Sequence, residues 1–307
     1  MAESVLQRKV ATPQTQSKPE KLVQGLVWKL AIATLLLMAV GSATRVMNAG
    51  LACPDWPLCY GQLVPQQQMN LQVFLEWFHR LDAALIGFSA IALVGLSWWY
   101  RQQLPKWLPW ASLFALGLIV FQGVLGGLTV IQLLRFDIVT AHLGTAMLFL
   151  ATLIVIGTSL MHYQGTATVG KLPWLGLTAT SLIYLQSLLG GLVASRWALH
   201  QCLGASQLCL VMNSHILGVI PATVSVLVLV GVSWRTAALH PILRKLANAA
   251  LGLVILQILL GIATFRLHLQ VEPLTVTHHT IGAALFGVLV AFTVFAWRDR
   301  SIAIPNI

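Results

Sequence analysis

LEWFHRLDAA, residues 75–84, puts Glu76, His79, Arg80 and Asp82 within seven positions near the start of a long apolar run. An ionisable group inside a bilayer is costly, so its presence there points to function. Outward from this stretch the chain is apolar throughout. Its 307 residues are 58% hydrophobic and 8% charged, with a mean hydropathy of +0.83. A soluble domain carries about 25% charged residues, so this is an integral membrane protein.

Eight stretches reach the roughly 20 apolar residues that a span requires: 26–46, 72–99, 107–131, 138–161, 173–195, 210–234, 246–265 and 274–297. The predicted fold is therefore an all-α membrane protein of eight transmembrane helices. The formal charge of +10 does not signal nucleic acid. Thirteen of the 18 Lys and Arg lie in the tail, alternate short loops and the C-terminus, which is the positive-inside pattern. Both termini are thus expected in the cytoplasm. Residues 1–25 read as a disordered cytoplasmic tail. They have no apolar core followed by a small-residue cleavage site, and one Arg against two Glu is unlike an organelle transit peptide. A bacterial plasma membrane is the expected location.

The remaining five basic residues are all Arg: Arg45, Arg80, Arg135, Arg196 and Arg266. Four of them cap the outer ends of spans 1, 3, 5 and 7. A guanidinium fork suits carboxylates, so an anionic ligand is expected at the outer face, beside the plainer role of ending helices near lipid phosphates.

The spans repeat. QGVLGGLT (122–129), QSLLGGLV (186–193) and QILLGIAT (257–264) align with LMAVGSAT (37–44), which brings Gly41, Gly126, Gly190 and Gly261 into register. Each even span carries a His near its outer end: His79, His142, His215 and the doublet His278–His279. His79 to His142 is 142 − 79 = 63 residues, and His215 to His278 is 278 − 215 = 63. The chain divides into two pseudo-symmetric four-helix bundles, 26–162 and 171–298. Each has a close Cys pair in its first outer loop, Cys53–Cys59 and Cys202–Cys209, which on the oxidising side predicts two disulfides. Cys53–Cys59 is also the candidate for a redox-active pair, because its loop leads to Glu76.

A lone membrane His is usually a packing residue. Four at matched depth and spacing are not explained that way. Two imidazoles on facing helices of a four-helix bundle are what a planar haem needs. Its propionates would face the Arg residues, and the glycines would leave room for the macrocycle edge. Zinc wants three or four converging ligands, a poorer match. The halves differ in one respect. Glu76 lies one turn before His79, whereas Met212 holds that place before His215. One site is then expected to do chemistry and the other to hold a fixed electron-transfer haem.

GSATRVMNAGLACPDWPLCYGQ, EWFHR, TAHLGTAML, NSHILG and VTHHTIGAAL together resemble the haem A synthase family, over roughly residues 25–297. The resemblance implies oxidation of the C8 methyl of haem O to a formyl group through hydroxylated intermediates, for terminal oxidase assembly. It implies His215 and His278 as axial ligands of haem b, His79 and His142 flanking the substrate haem O, and Glu76 as the catalytic acid. It implies a redox role for the outer-loop cysteines, and haem O synthase as the supplier of substrate. Within the doublet, the 63-residue spacing favours His278, and the H-x-x-G shared with His215 favours His279. A non-catalytic dihaem b electron carrier explains the four His equally but has no use for Glu76. A transporter explains the repeat but not the matched His.

Overall fold

The computed structural model describes residues 17–194, 207–268 and 270–303. Among them eight long helices are present: α1 Lys18–Val46, α2 Leu71–Trp99, α3 Leu108–Ile131, α4 Phe136–Leu160, α5 Leu172–Ala194, α6 Gln207–Arg235, α7 Pro241–Arg266 and α8 Glu272–Ala303. Each contains a stretch long and apolar enough to cross a membrane.

The helix starts follow local chemistry. Ser17 caps α1 by accepting from the Glu20 amide at 3.3 Å, with Pro19 in the first turn. Side-chain capping and an early Pro satisfy or remove amides that have no helical partner. α1 therefore begins eight residues before the apolar stretch at 26, and takes in part of the segment expected to be a tail. The polar composition of residues 18–25 concealed a helix start. Asn70 caps α2 in the same way, accepting from Val73 at 3.0 Å.

The packing has a simple order. α1–α2, α2–α3, α3–α4 and α4–α1 are neighbours, and so are α5–α6, α6–α7, α7–α8 and α8–α5. Each half of the chain thus closes a ring of four. The rings meet through α1–α8, α4–α8 and α4–α5. α8 is the hub: 67% of its apolar window is buried, against 17–39% for the other seven helices. Without a hydrophobic drive between helices in lipid, close approach depends on small residues. A Cβ on Gly157 would stand 2.9 Å from the Trp28 ring, so this glycine is what lets α4 close on α1.

The basic end is clasped where the halves join. Arg298 of α8 donates to the carbonyls of Thr158 and Met161. Asp299, fully buried, accepts from the Tyr163 hydroxyl at 2.9 Å and the amides of Thr166 and Thr168 at 2.8 and 3.2 Å. Burial and the bond to Asp299 raise the Tyr163 phenol above its ordinary value. These contacts fix the loop between α4 and α5, which sets one ring against the other.

Candidate functional site

The even-numbered helices start at the end opposite this clasp. His79, His142, His215 and His278 lie six or eight residues into them, about 9–12 Å below their first residues at 1.5 Å per residue. Each ring lies against the glycine of the preceding odd helix. A Cβ would stand 2.9 Å from His79 at Gly41, 3.3 Å from His142 at Gly126, 3.0 Å from His215 at Gly190 and 3.0 Å from His278 at Gly261. The four glycines in register therefore seat imidazoles. The expected space for a macrocycle edge is here filled by the ring itself. Of the doublet, His278 is the one in register.

Each imidazole also faces the backbone carbonyl one turn before its glycine: Leu37, Gln122, Gln186 or Gln257. The contact is loose. Nδ1 of His79, His142 and His278 is buried without a formed hydrogen bond.

Three of those four positions are Gln, and their amides hold the His residues. Gln122 donates to the His142 carbonyl at 2.9 Å and Gln186 to the His215 carbonyl at 2.7 Å. Gln186 also lies 3.1 Å from the His215 ring, and Gln257 3.3 Å from the His278 ring. The fourth position, Leu37, has no amide to offer. The signal was present in the sequence, since three of the four aligned octets begin with Gln.

The His79 and His142 rings are 6.5 Å apart, centroid to centroid. A metal–imidazole bond is about 2 Å and a ring centre lies about 1 Å behind its nitrogen, so two imidazoles gripping one metal from opposite sides stand about 6 Å apart. The pair has that spacing. His, Cys, Asp and Glu form no metal-binding group of three or more among the described residues. Paired axial ligation fits this donor set better than a zinc site.

Glu76 is 4% exposed although it sits in the first turns of α2. One carboxylate oxygen accepts the Cys53 amide at 2.8 Å, and the other accepts from Arg80 one turn on. The Arg80 fork continues to the carbonyls of Cys53 (3.3 Å), Asp55 (2.6 Å) and Leu58. Glu76 and Arg80 thereby pin the loop closed by the Cys53–Cys59 disulfide, both of whose cysteines are buried. Asp55 braces the same loop through the amides of Tyr60 (2.6 Å) and Gly61 (2.8 Å). Those bonds, the Gly61 amide first, hold its carboxyl below the ordinary value. Gly127 lets the Trp56 ring approach α3, since a Cβ there would meet it at 3.1 Å. The loop thus lies over the helix whose Gly126 seats His142.

The remaining arginines are placed as follows. Arg45 is partly buried in the last turn of α1, Arg266 is exposed at the end of α7, and Arg135 pairs with Asp137 through bonds of 2.8 and 2.6 Å on the surface. Arg196 lies outside the described residues, and so does Cys202, one partner of the expected Cys202–Cys209 bridge.

A family model described as cytochrome oxidase assembly protein, COX15-CtaA, matches residues 24–290. The chain belongs to the COX15-CtaA family. It is 29% identical to the heme A synthase of Shewanella oneidensis over 90% of this chain and 98% of that one. It is 27% identical to the heme A synthase of Caulobacter vibrioides over 89% and 95%. A 36% identical match to the heme A synthase of Geobacillus thermodenitrificans covers 38% of this chain and 36% of that one. The COX15-CtaA match spans the disulfide loop, Glu76 and all four seated His. Family membership implies a haem-related substrate and an oxidoreductase-type reaction.

Proposed function

We propose that this membrane protein is a haem A synthase that oxidises the C8 methyl of haem O to a formyl group through hydroxylated intermediates, for terminal oxidase assembly. The observation that carries the reading is the twice-repeated pair of glycine-seated imidazoles, with a buried carboxylate network beside only one pair. His215 and His278 hold a resident haem b, which supplies one-electron chemistry when bound. His79 and His142 flank the substrate haem O. Arg45, Arg135, Arg196 and Arg266 are the propionate candidates. The Arg80 fork is engaged by Glu76 and three loop carbonyls, so Arg80 serves the substrate through Glu76.

Glu76 is the catalytic carboxylate. Its two oxygens are held by Cys53 and Arg80, so it meets the substrate in one orientation, with lone pairs left to position water or to face positive charge building at the methyl carbon. A preoriented group of this kind lowers a barrier because it costs no reorganisation during the reaction. The disulfide loop above it excludes bulk water. We place the chain in the bacterial plasma membrane with both termini cytoplasmic, receiving haem O from haem O synthase.

The dihaem b carrier draws support from the equal seating of the four His, but leaves the Glu76 network without purpose. Haem extraction with mass analysis from cells supplied with haem O separates the two. Glu76→Ala should keep a low-spin bis-His haem b spectrum while haem A output stops and haem O or a hydroxylated product accumulates. His215→Ala should abolish that spectrum. Normal haem A output from Glu76→Ala contradicts the assignment.

A further inference from the structure

At the basic end, far from the seated His, a groove of about 650 Å³ opens between the loop before α5, the first turns of α5 and the end of α8. Lys171 and Arg300 stand on it, and its walls include Gly170, Trp174, Leu175 and Thr178. Two features set it apart from an ordinary surface cleft. The first is charge. Among the described residues neither cation is in an ion pair and no acidic side chain lines the groove. The neighbouring Asp299 is fully buried, its oxygens taken by Tyr163, Thr166 and Thr168. The second is construction. The Arg300 guanidinium sits 5.4 Å over the Trp297 ring, and Trp297 meets Trp174 edge-on with centroids 5.0 Å apart. The aromatic pair fixes the cation at the mouth of the groove, and both Trp rings remain exposed.

Trp at helix ends marks the depth of the membrane interface. Basic pockets between transmembrane helices at that depth hold anionic headgroups. Thr178 lies seven residues after Lys171, about 10 Å further along α5, so the groove leads from the two cations toward the apolar part of the helix. A free phosphate would use the cations and leave this wall bare. A phospholipid uses both.

We infer that this groove binds one anionic phospholipid, its phosphate between Lys171 and Arg300 and an acyl chain along α5. The lipid would lie across the α5–α8 contact, beside the clasp that joins the two rings.

The test is native mass spectrometry of the purified full chain in mild detergent, titrated with phosphatidylglycerol, with phosphatidylcholine of the same acyl chains, or with inorganic phosphate. One phosphatidylglycerol should be retained under conditions that strip phosphatidylcholine. Changing Lys171→Gln and Arg300→Gln together should weaken that retention about 10–30-fold. Lys171→Arg with Arg300→Lys should preserve it. On the unaltered chain the advantage of phosphatidylglycerol should shrink as salt rises from about 0.1 to 1 M, which tests the claim without any variant. Equal retention of the two lipids, undiminished binding by the double Gln variant, or inorganic phosphate displacing phosphatidylglycerol would each overturn it.

Discussion

Arg80 shows how one side chain can serve both a site and a loop. It neutralises Glu76 and gathers three carbonyls of the disulfide loop. Removing one partner of a buried ion pair leaves the other charge unpaired. Arg80→Ala is therefore expected to destabilise the chain by about 3 kcal/mol, read as a drop in thermal midpoint in detergent. Arg80→Lys should recover part of the stability, since a single ammonium cannot span four acceptors. Asp55 titrates in the same loop. Its folded value is depressed, so its contribution is present above the ordinary value near 3.8 and is lost as pH falls through the lower folded value. Hydrogen exchange of the Tyr60 and Gly61 amides should accelerate, beyond its intrinsic pH dependence, as pH drops from 5 toward 2. Asp55→Asn should remove that extra dependence.

The helices and their boundaries explain how much of this was legible beforehand. Eight spans follow from apolar length alone, and the repeat of Gly and His follows from register, because both are properties of neighbours along the chain. The start of α1 was not legible by hydropathy, since Ser17, Pro19 and Glu20 encode a cap within polar sequence. The duty of the glycines was half legible. Register showed that Gly41, Gly126, Gly190 and Gly261 are equivalent, but only the packing of one helix on another shows that each faces an imidazole. The hold of Cys53 on Glu76 spans 23 residues and leaves no mark in local pattern. Gly127 tests the element-level account. Gly127→Leu forces Trp56 off α3, which should cost about 1–3 kcal/mol through overpacking and make the Cys53–Cys59 bridge more accessible to reductant. Accessibility equal to that of the unaltered chain would show that Trp56 does not hold the loop.

At the scale of the molecule, two rings of four helices meet against α8 and are joined by a clasp at the basic end. Asp299 is the centre of that clasp, and Asp299→Ala would leave the Tyr163 hydroxyl and two amides without their acceptor. These donors are partly buried or exposed, so each lost bond costs about 1 kcal/mol, and the clasp should loosen before either ring melts. Protease cutting in the loop between α4 and α5, with helix content unchanged, is the expected result. The two rings also differ in how they hold their histidines. Gln anchors the His of α4, α6 and α8, whereas Leu37 stands where the His79 anchor would be. The half with the buried carboxylate is thus the half whose histidines are held unequally.

The central claim is that His215 and His278, seated on Gly190 and Gly261, grip a resident haem. The most direct measurement is the low-spin haem signal, by optical and electron paramagnetic resonance spectroscopy, of purified His215→Ala, His278→Ala and His279→Ala chains. Loss of the signal in the first two and its retention in the third is predicted. Retention in His278→Ala together with loss in His279→Ala would contradict the account.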